Sequence, residues 1–238
     1  MVTERPAADP VSVYDRIAPS FAQLATERRA YLDAIDQLVV SHLTPAARTL
    51  LDVGAGDGRR ARTIAAAAPG LTTVVLAEPA AGMRRAGGSA AAYIDLRAEQ
   101  LHKLEGEFDV ILCLWNVLGH IFPQAARAEV MCQFQRLLSP RGRLFIDVNH
   151  RYNAARYGLS RTAIRWLYDR IRPSEENGDV VATLSSASVR GHVFTHREVL
   201  AMAGPADLAL ENRFVVDYET GAIRPRAWQG NLLYVMKS

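Results

Sequence analysis

The chain has 238 residues, of which 49% are hydrophobic and 22% are charged. This composition is typical of a globular protein with a sizeable core, built as one large α/β domain or two small ones. The longest apolar runs, 71–77 and 110–115, are only as long as strands, which excludes a membrane span. The 28 Lys and Arg residues barely exceed the 25 Asp and Glu residues and are spread along the chain, which argues against a nucleic-acid partner.

The cysteine and histidine content argues against a disulfide-rich protein and against a metal site. Cys113 and Cys132 are too few for a disulfide framework or a four-ligand zinc site, so we expect buried, reduced thiols. The six histidines lack the spacing of metal ligands, and no metal is expected. The N-terminal residues carry no apolar stretch of a secretory signal, so we expect a cytoplasmic protein with no membrane partner.

The first segment of the chain predicts a short flexible tail followed by helices. Residues 1–10 are polar and carry two prolines, so we expect them to be flexible. A single domain over 11–238 follows, and it opens with a helical cap over 11–45. From Tyr31 onward, apolar residues recur at the i, i+3, i+4, i+7 and i+8 spacing of one buried helix face, and Pro45 ends the pattern.

The middle of the chain alternates between short apolar runs and helical stretches. We predict strands at 49–53, 72–77, 91–96, 108–115 and 144–148, with helices at 58–68, 80–86 and 124–138 between them. Parallel strands need crossover connections, which are usually helical. The pattern therefore predicts an α/β fold with a doubly wound, mostly parallel sheet, in which a turn at 139–142 precedes the fifth strand.

The alternation stops after the fifth strand. An aromatic and Arg-rich helical stretch and a Thr- and Val-rich strand occupy residues 150–190, and we interpret this insertion as a lid or substrate-shaping element. A helix at 196–203 and strands at 208–218 and 231–236 complete the domain. No internal repeat is visible.

A glycine-rich turn is the most informative segment. The strand that ends at Val53 continues into Gly54, Gly56 and Gly58 and then into a helix, so the backbone can approach a ligand that any Cβ would exclude. The spacing is neither that of a dinucleotide fingerprint nor that of a P-loop. Asp52 and Asp57 would repel a pyrophosphate, which favours a cationic or zwitterionic ligand.

A third acidic residue, at the end of the second predicted strand, supports a nucleoside ligand. Glu78 ends the second strand about twenty residues after Gly58, where a carboxylate can accept hydrogen bonds from both hydroxyls of a ribose.

These motifs together resemble those of the class I S-adenosylmethionine-dependent methyltransferases, which have a Rossmann-like fold. The first motif is similar to 52–58, the second to Glu78 with Pro79 and Met83, and a third to 98–101 with 108–110. The resemblance implies S-adenosyl-L-methionine as cofactor and S-adenosyl-L-homocysteine as product. It implies that the following residues bind the cofactor: Tyr14, Arg28, Asp52, Gly54, Ala55, Gly56, Asp57, Glu78, Pro79, Met83, Ala98, Glu99 and Leu114.

Within this set the resemblance implies particular roles. Gly54 and Gly56 approach the methionine moiety, Asp52 or Asp57 faces its ammonium group, and Glu78 holds the ribose. An arginine in the N-terminal segment would pair with the carboxylate of the methionine moiety. The family often has Asp where this chain has Arg97, so the adenine contact falls to Ala98 or Glu99.

A narrower resemblance follows the fourth strand. The stretch 111–120 is similar to glycine N-methyltransferase and related small-amine N-methyltransferases, which keep Asn and, four residues later, His; here these are Asn116 and His120. The end of the fifth strand is similar to the same group but one residue longer. The resemblance implies that Asn116 and one of Asn149, His150 and Arg151 face the acceptor. Trp115 and Tyr152 are further candidate substrate-binding residues, although Trp115 could equally pack in the core.

Methyl transfer to an amine or hydroxyl requires loss of a proton, for which one weak base suffices. His120 and His150 are the candidate catalytic residues, although packing roles are open for both. The aromatic residues of the insertion, among them Tyr152 and Trp166, either line a pocket or pack the insertion onto the domain.

The leading hypothesis is methyl transfer to a small molecule at nitrogen. A small-molecule O-methyltransferase is the nearest alternative. A nucleic-acid methyltransferase and a non-catalytic protein that binds S-adenosylmethionine are less favoured.

Overall fold

The computed structural model describes residues 9–88, 92–184 and 187–238. The helices are α1 Pro10–Glu27, α2 Arg29–Ser41, α3 Arg59–Ala67, α4 Ala81–Gly87, α5 Gln124–Leu137, α6 Ala154–Tyr157, α7 Leu159–Ile171 and α8 His196–Ala203. The strands are β1 Thr49–Val53, β2 Thr73–Ala77, β3 Ala92–Ile94, β4 Phe108–Cys113, β5 Leu138–Val148, β6 Asp179–Leu184, β7 Ala187–His192, β8 Ala209–Val216 and β9 Asn231–Lys237.

Seven strands form one sheet in the order β3-β2-β1-β4-β5-β9-β8. The first five are parallel, and β9 runs antiparallel to both β5 and β8. Strands β6 and β7 form a separate hairpin. The prediction of a doubly wound, mostly parallel sheet with an insertion after the fifth strand is confirmed.

The chain reverses its direction of strand addition between β1 and β4, which are neighbours in the sheet. In such sheets a crevice opens at this point, beyond the carboxyl ends of the strands, and ligands bind there. Apolar side chains fill both faces of the sheet and form two core layers. The core therefore holds the ends of β1, β2 and β4 rigidly around the crevice.

Several boundaries differ from the sequence predictions by one to a few residues, and three of the differences have a visible cause. Residues 1–8 lie outside the described residues, but Pro10 already opens α1, and the Asp9 side chain caps it by accepting a hydrogen bond from the Ser12 amide. Leu138 pairs with Phe108 and Arg143 with Val110, so the predicted turn at 139–142 is a bulge inside β5. The fourth strand ends at Cys113, two residues early, because Trp115 and Asn116 adopt left-handed backbone angles.

The insertion contains α6, α7 and the hairpin β6–β7. An ordinary amphipathic helix packs its apolar face against the core, whereas α7 exposes its apolar face to solvent. None of its residues is buried. Its polar residues Arg165 and Asp169 are partly buried and make hydrogen bonds to the domain, whereas Ile164 and Ile171 are 69% and 68% exposed. Helix α7 is thus held through polar contacts, one of which is made by the Tyr152 hydroxyl. Among the described residues, no helix has both the length and the hydropathy needed to cross a membrane.

Candidate active site

The glycine-rich turn forms as the sequence predicts. Gly54, Gly56 and Gly58 all have positive φ values, of 72°, 57° and 65°, and α3 begins at the next residue. A Cβ added to Gly54 would lie 2.5 Å from Cγ2 of Val117. Side chains at this position are therefore excluded both by backbone angle and by space.

Glu78 links the end of β2 to this turn. Its Oε2 accepts a hydrogen bond from the Gly56 amide and its Oε1 accepts one from the Ala80 amide, each at 2.8 Å. Burial raises the pKa of Glu78, while the two amide donors act in the opposite direction. Each carboxylate oxygen has a second lone pair, so Glu78 can still accept hydrogen bonds from a ligand.

Two cavities meet at the glycine turn. The first cavity lies between α1, the turn and the 3-10 helix Val117–His120, and its volume is about 120 Å³. It brings together eleven of the predicted site residues: Tyr14, Gly54, Gly56, Glu78, Pro79, Met83, Ala98, Glu99, Leu114, Trp115 and His120.

The second cavity lies on the other side of the turn, against α2 and α3, and its volume is about 330 Å³. The predicted residues Asp52, Ala55 and Asp57 line it. Burial raises the pKa of Asp52 from 3.8 to about 7. No donor among the described residues makes a hydrogen bond to the Asp52 carboxylate, so it is available to a ligand.

Aromatic side chains separate the two cavities. Phe21 and Trp115 line both, and their ring centroids are 5.5 Å apart. Phe21 was missed in the sequence, although it follows Tyr14 by seven residues, the spacing that places two residues on one helix face. α1 therefore covers the carboxyl edge of the sheet with two aromatic residues.

His120 is held in one tautomer by its neighbours. Its Nδ1 lies 3.1 Å from the carbonyl oxygen of Arg190, which can only accept, so Nδ1 carries the proton. Its Nε2 then offers a lone pair to the Tyr14 hydroxyl, 3.2 Å away. Burial lowers the pKa of His120, which keeps the ring neutral near pH 7.

The other candidate base lies elsewhere. His150 is 5% exposed and borders a groove with Tyr152, Trp166 and Trp228, apart from the two cavities at the glycine turn. Burial lowers the pKa of His150 to about 4. The structure thus separates the two histidines that the sequence could not distinguish.

Arg151 and Tyr152 also lie outside the two cavities. The Arg151 guanidinium donates to Glu198 at 2.5 Å and to Asp169 at 3.3 Å, and the Tyr152 hydroxyl donates to Asp169 at 2.6 Å. These contacts fasten α7 to the domain and to α8. Sequence reasoning missed them because Glu198 is 47 residues away from Arg151.

Asn116, Asn149 and Arg28 likewise make contacts within the protein. The Asn116 side chain accepts a hydrogen bond from the Asn149 amide at 2.9 Å and donates to the His192 carbonyl at 3.3 Å. Arg28 pairs with Glu219 at 2.5 Å and lies over the Tyr218 ring. None of the three lines either cavity at the glycine turn.

The strand order, the glycine turn after β1 and the acidic end of β2 define a class I S-adenosylmethionine-dependent methyltransferase fold. Residues 51–144 match the family described as "Methyltransferase domain". Residues 51–144 are therefore similar to a methyltransferase domain, and the fold around them is that of this class, as the sequence motifs predict.

Solved structures agree on the fold. The CcbJ methyltransferase from Streptomyces caelestis has a TM-score of 0.63 at 17% identity, over 87% of this chain and 89% of that one. The 1,6-didemethyltoxoflavin-N1-methyltransferase from Burkholderia thailandensis, solved with S-adenosylhomocysteine, has a TM-score of 0.63 at 18% identity, over 99% and 93%. Both likenesses concern the fold alone.

A curated relative is the ubiquinone biosynthesis O-methyltransferase of Pseudomonas paraeruginosa, 32% identical over 111 residues. The alignment covers 44% of this chain and 46% of that protein. The same-named enzyme of Methylococcus capsulatus is 32% identical over 48% of this chain and 49% of its own. The chain thus spans about half the length of these relatives, and the narrower resemblance to small-amine N-methyltransferases stays a prediction.

S-adenosylmethionine is the cofactor of this class, and the residues present fit it. Gly54 and Gly56 of the turn line both cavities, and the Asp52 carboxylate, with no donor among the described residues, suits an ammonium group.

Proposed function

We propose that the chain transfers a methyl group from S-adenosylmethionine to a small-molecule acceptor that carries a neutral hydroxyl group. The observation that carries this proposal is the contact between His120 Nε2 and the Tyr14 hydroxyl inside the first cavity. His120 lines the same cavity as the glycine turn and Glu78, which belong to the cofactor motifs, and this supports its role as a base.

When bound, S-adenosylmethionine supplies an electrophilic methyl group on its sulfonium sulfur. The chain binds and orients it: Gly54 and Gly56 leave room for close approach, Glu78 accepts from ribose hydroxyls, and Asp52 faces the ammonium group. No covalent intermediate with the protein is required, so these residues act mainly by positioning and by excluding water.

His120 acts as the general base. Its Nδ1–H donates to the Arg190 carbonyl, which leaves the Nε2 lone pair directed into the cavity. The Tyr14 contact supports this role, because a hydroxyl group fits against Nε2. An acceptor hydroxyl at this place gives its proton to Nε2 as its oxygen takes up the methyl group.

Two observations favour a hydroxyl over the amine that the sequence pattern favoured. Asn116, which contributed to the amine hypothesis, is 7% exposed and makes hydrogen bonds only within the protein. Trp115, Val117 and Ile121 give this cavity an apolar wall, and its two carboxylates, Glu78 and Glu99, belong to the predicted cofactor set. The curated relatives with partial coverage are named as O-methyltransferases, in agreement with this proposal.

Replacement of His120 tests the base. We expect His120→Gln to lower kcat about 100-fold, a typical contribution of a general base, while binding of S-adenosylhomocysteine is retained. Since burial lowers the pKa of His120, the wild-type rate should stay high below pH 6.5 and fall only at more acidic pH. His42→Gln, at the C-cap of α2, is the matched control. A rate profile unchanged in His120→Gln would contradict the assignment.

The acceptor is found by incubating the protein with S-adenosylmethionine and matched libraries of phenols, alcohols and amines, followed by mass spectrometry. A gain of one methyl group on phenols or alcohols supports the proposal. A gain on amines alone supports the N-methyltransferase, and tight S-adenosylhomocysteine binding without any product supports a non-catalytic protein.

A further inference from the structure

Two consecutive residues at the end of β4 have a backbone conformation that side chains rarely adopt. Trp115 has a φ of 56° and Asn116 a φ of 63°. Only one other non-glycine residue in the described ranges, Asp207, has a positive φ. Such angles persist where the surroundings hold them, and they concentrate at functional sites.

Asp147 on β5 holds both residues of this turn. Its Oδ2 accepts a hydrogen bond from the Trp115 amide at 3.0 Å, and its backbone oxygen accepts one from the Asn116 amide at 2.9 Å. Its Oδ1 accepts a hydrogen bond from the Tyr31 hydroxyl of α2. Asp147 is 1% exposed and contacts neither cavity, so the proposed chemistry does not use it.

The same residues also fix the indole ring. The Trp115 Nε1–H donates to the Tyr218 hydroxyl at 3.3 Å, and the Tyr218 and Tyr31 rings are 4.8 Å apart. Tyr31, Asp147, Trp115 and Tyr218 thus form a closed set of contacts. The set joins α2, β5, the end of β4 and the segment after β8.

This turn carries the parts of the site that must be positioned relative to each other. Trp115 lies between the first and second cavities, and the 3-10 helix that ends at His120 begins directly after Asn116. Val117, which would collide with a Cβ on Gly54, follows immediately as well. A change in the backbone at Trp115 would therefore move the aromatic partition, the base and the wall of the glycine turn together.

We propose that Tyr31 and Asp147 are positioning residues that hold the Trp115–Asn116 turn, and through it align His120 with the glycine turn. The Tyr31 hydroxyl keeps the Asp147 carboxylate oriented so that its second oxygen meets the Trp115 amide. The kinetic part of this inference depends on the proposed function, whereas its structural part does not.

The test uses Trp115 as its own probe. The chain has three tryptophans, and Trp166 and Trp228 are 46% and 42% exposed. In a Trp166→Phe, Trp228→Phe background, only Trp115 remains, and its emission and its quenching by acrylamide report its environment. Tyr31→Phe should shift this emission to longer wavelength and increase quenching in the folded protein. Tyr234→Phe, which removes another buried hydroxyl from the same domain, is the matched control.

The kinetic readout follows from the expected misalignment. We expect Tyr31→Phe to lower kcat/KM for the acceptor about 10- to 100-fold, since small displacements of positioned groups have effects of this order. Asp147→Ala, which removes both carboxylate oxygens, should give the same fluorescence change and serves as the second variant if Tyr31→Phe folds poorly.

Each outcome decides the inference. If Tyr31→Phe lowers only the unfolding temperature and leaves Trp115 quenching equal to that of Tyr234→Phe, the pair merely packs and the inference is overturned. If quenching changes but no acceptor is methylated by the parent protein, the proposed function fails while the positioning of Trp115 stands.

Discussion

Asp52 is a buried carboxylate of the candidate site whose pKa is strongly raised. It follows two buried leucines of β1, is 5% exposed, and has no hydrogen-bond donor among the described residues. Burial raises its pKa to about 7, with the Arg60 guanidinium opposing this shift. A group whose charge is so poorly compensated destabilises the fold when it ionises, and a cationic ligand in the second cavity would compensate it.

Removing this carboxylate should flatten the pH dependence of stability. The folded-state pKa, about 7, lies above the ordinary value of 3.8, so the folded protein binds the proton more tightly than the unfolded chain. The protonated Asp52 carboxyl therefore stabilises the folded protein by about 4 kcal/mol relative to the ionised form. This contribution is fully present below about pH 4 and is lost as the pH rises through 7. Between pH 4 and pH 8, the free energy of unfolding of Asp52→Asn should decline less than that of the wild type, as measured by denaturant unfolding.

An identical decline in the free energy of unfolding for wild type and Asp52→Asn would show that the carboxylate is better solvated than its surroundings suggest. The ligand-bound protein provides the complementary measurement. Because a cationic group favours ionised Asp52, S-adenosylmethionine affinity should rise between pH 6 and 8 in wild type and change less in the variant.

Among the elements, α7 shows what a sequence pattern leaves undecided. The spacing of its apolar residues correctly predicts a helix, but periodicity identifies a face without saying which side meets the core. Here Arg151 donates a hydrogen bond to Asp169, and Arg165 donates one to the Arg151 carbonyl, so the polar face of α7 packs against the domain. Trp166 and Tyr168 are consequently about half exposed, and Tyr152 holds α7 through its hydroxyl.

This orientation predicts that apolar residues on α7 contribute little to stability. Ile164→Ala should change the free energy of unfolding by no more than about 0.5 kcal/mol, the usual range for surface substitutions. Ile64, on α3, is 0% exposed, and Ile64→Ala is the matched comparison, with an expected loss of about 2–5 kcal/mol. Denaturant unfolding of both variants checks this, and a large loss at Ile164 would mean that this face is covered in solution.

Local signals explain which parts of the site could be found in advance. Strand β1 and helix α8 form at the predicted residues, because their patterns are strong and their ends are marked by glycines and by the Thr195 cap. The glycine turn and Glu78 are short-range motifs whose geometry follows from the ends of adjacent parallel strands. Sequence alone could therefore place most residues of the first cavity.

Residues after β5 behave differently, since their partners come from distant segments. His150, Arg151 and Asn149 follow a strand end where site residues are expected, yet Asn231, Glu198 and Asn116 engage them. The role of Asp147 also depends on Tyr31, 116 residues away. Contacts of this separation leave no local periodicity, which is why the sequence could not assign them.

Across the whole molecule, α1 is the element best placed to control access. It lies over the carboxyl edge of the sheet, and Tyr14 and Phe21 line the first cavity. Of its 18 residues only Val13, Ile17 and Ala18 are buried. The ion pair that ties its start to Arg97 is about half exposed and adds little to stability.

We therefore expect α1 to open locally far more often than the sheet does. In hydrogen exchange of the free protein, the amides of α1 should exchange faster than those of α2, which buries six residues, and than those of β9, which is buried over all but its last residue. S-adenosylhomocysteine at about 100 times its Kd should slow the exchange of the α1 amides by up to about 100-fold, if opening of the helix releases the ligand.

Strand β9 is the internal control in that experiment, because its exchange depends on global unfolding and not on the cavity. Ligand-induced protection confined to α1 and the glycine turn would identify α1 as the gate through which cofactor and acceptor enter. Equal exchange of α1 with and without ligand, in a protein that demonstrably binds it, would mean that the ligand enters while α1 stays closed. The insertion after β5, whose Arg190 carbonyl accepts a hydrogen bond from His120, would then be the segment that moves.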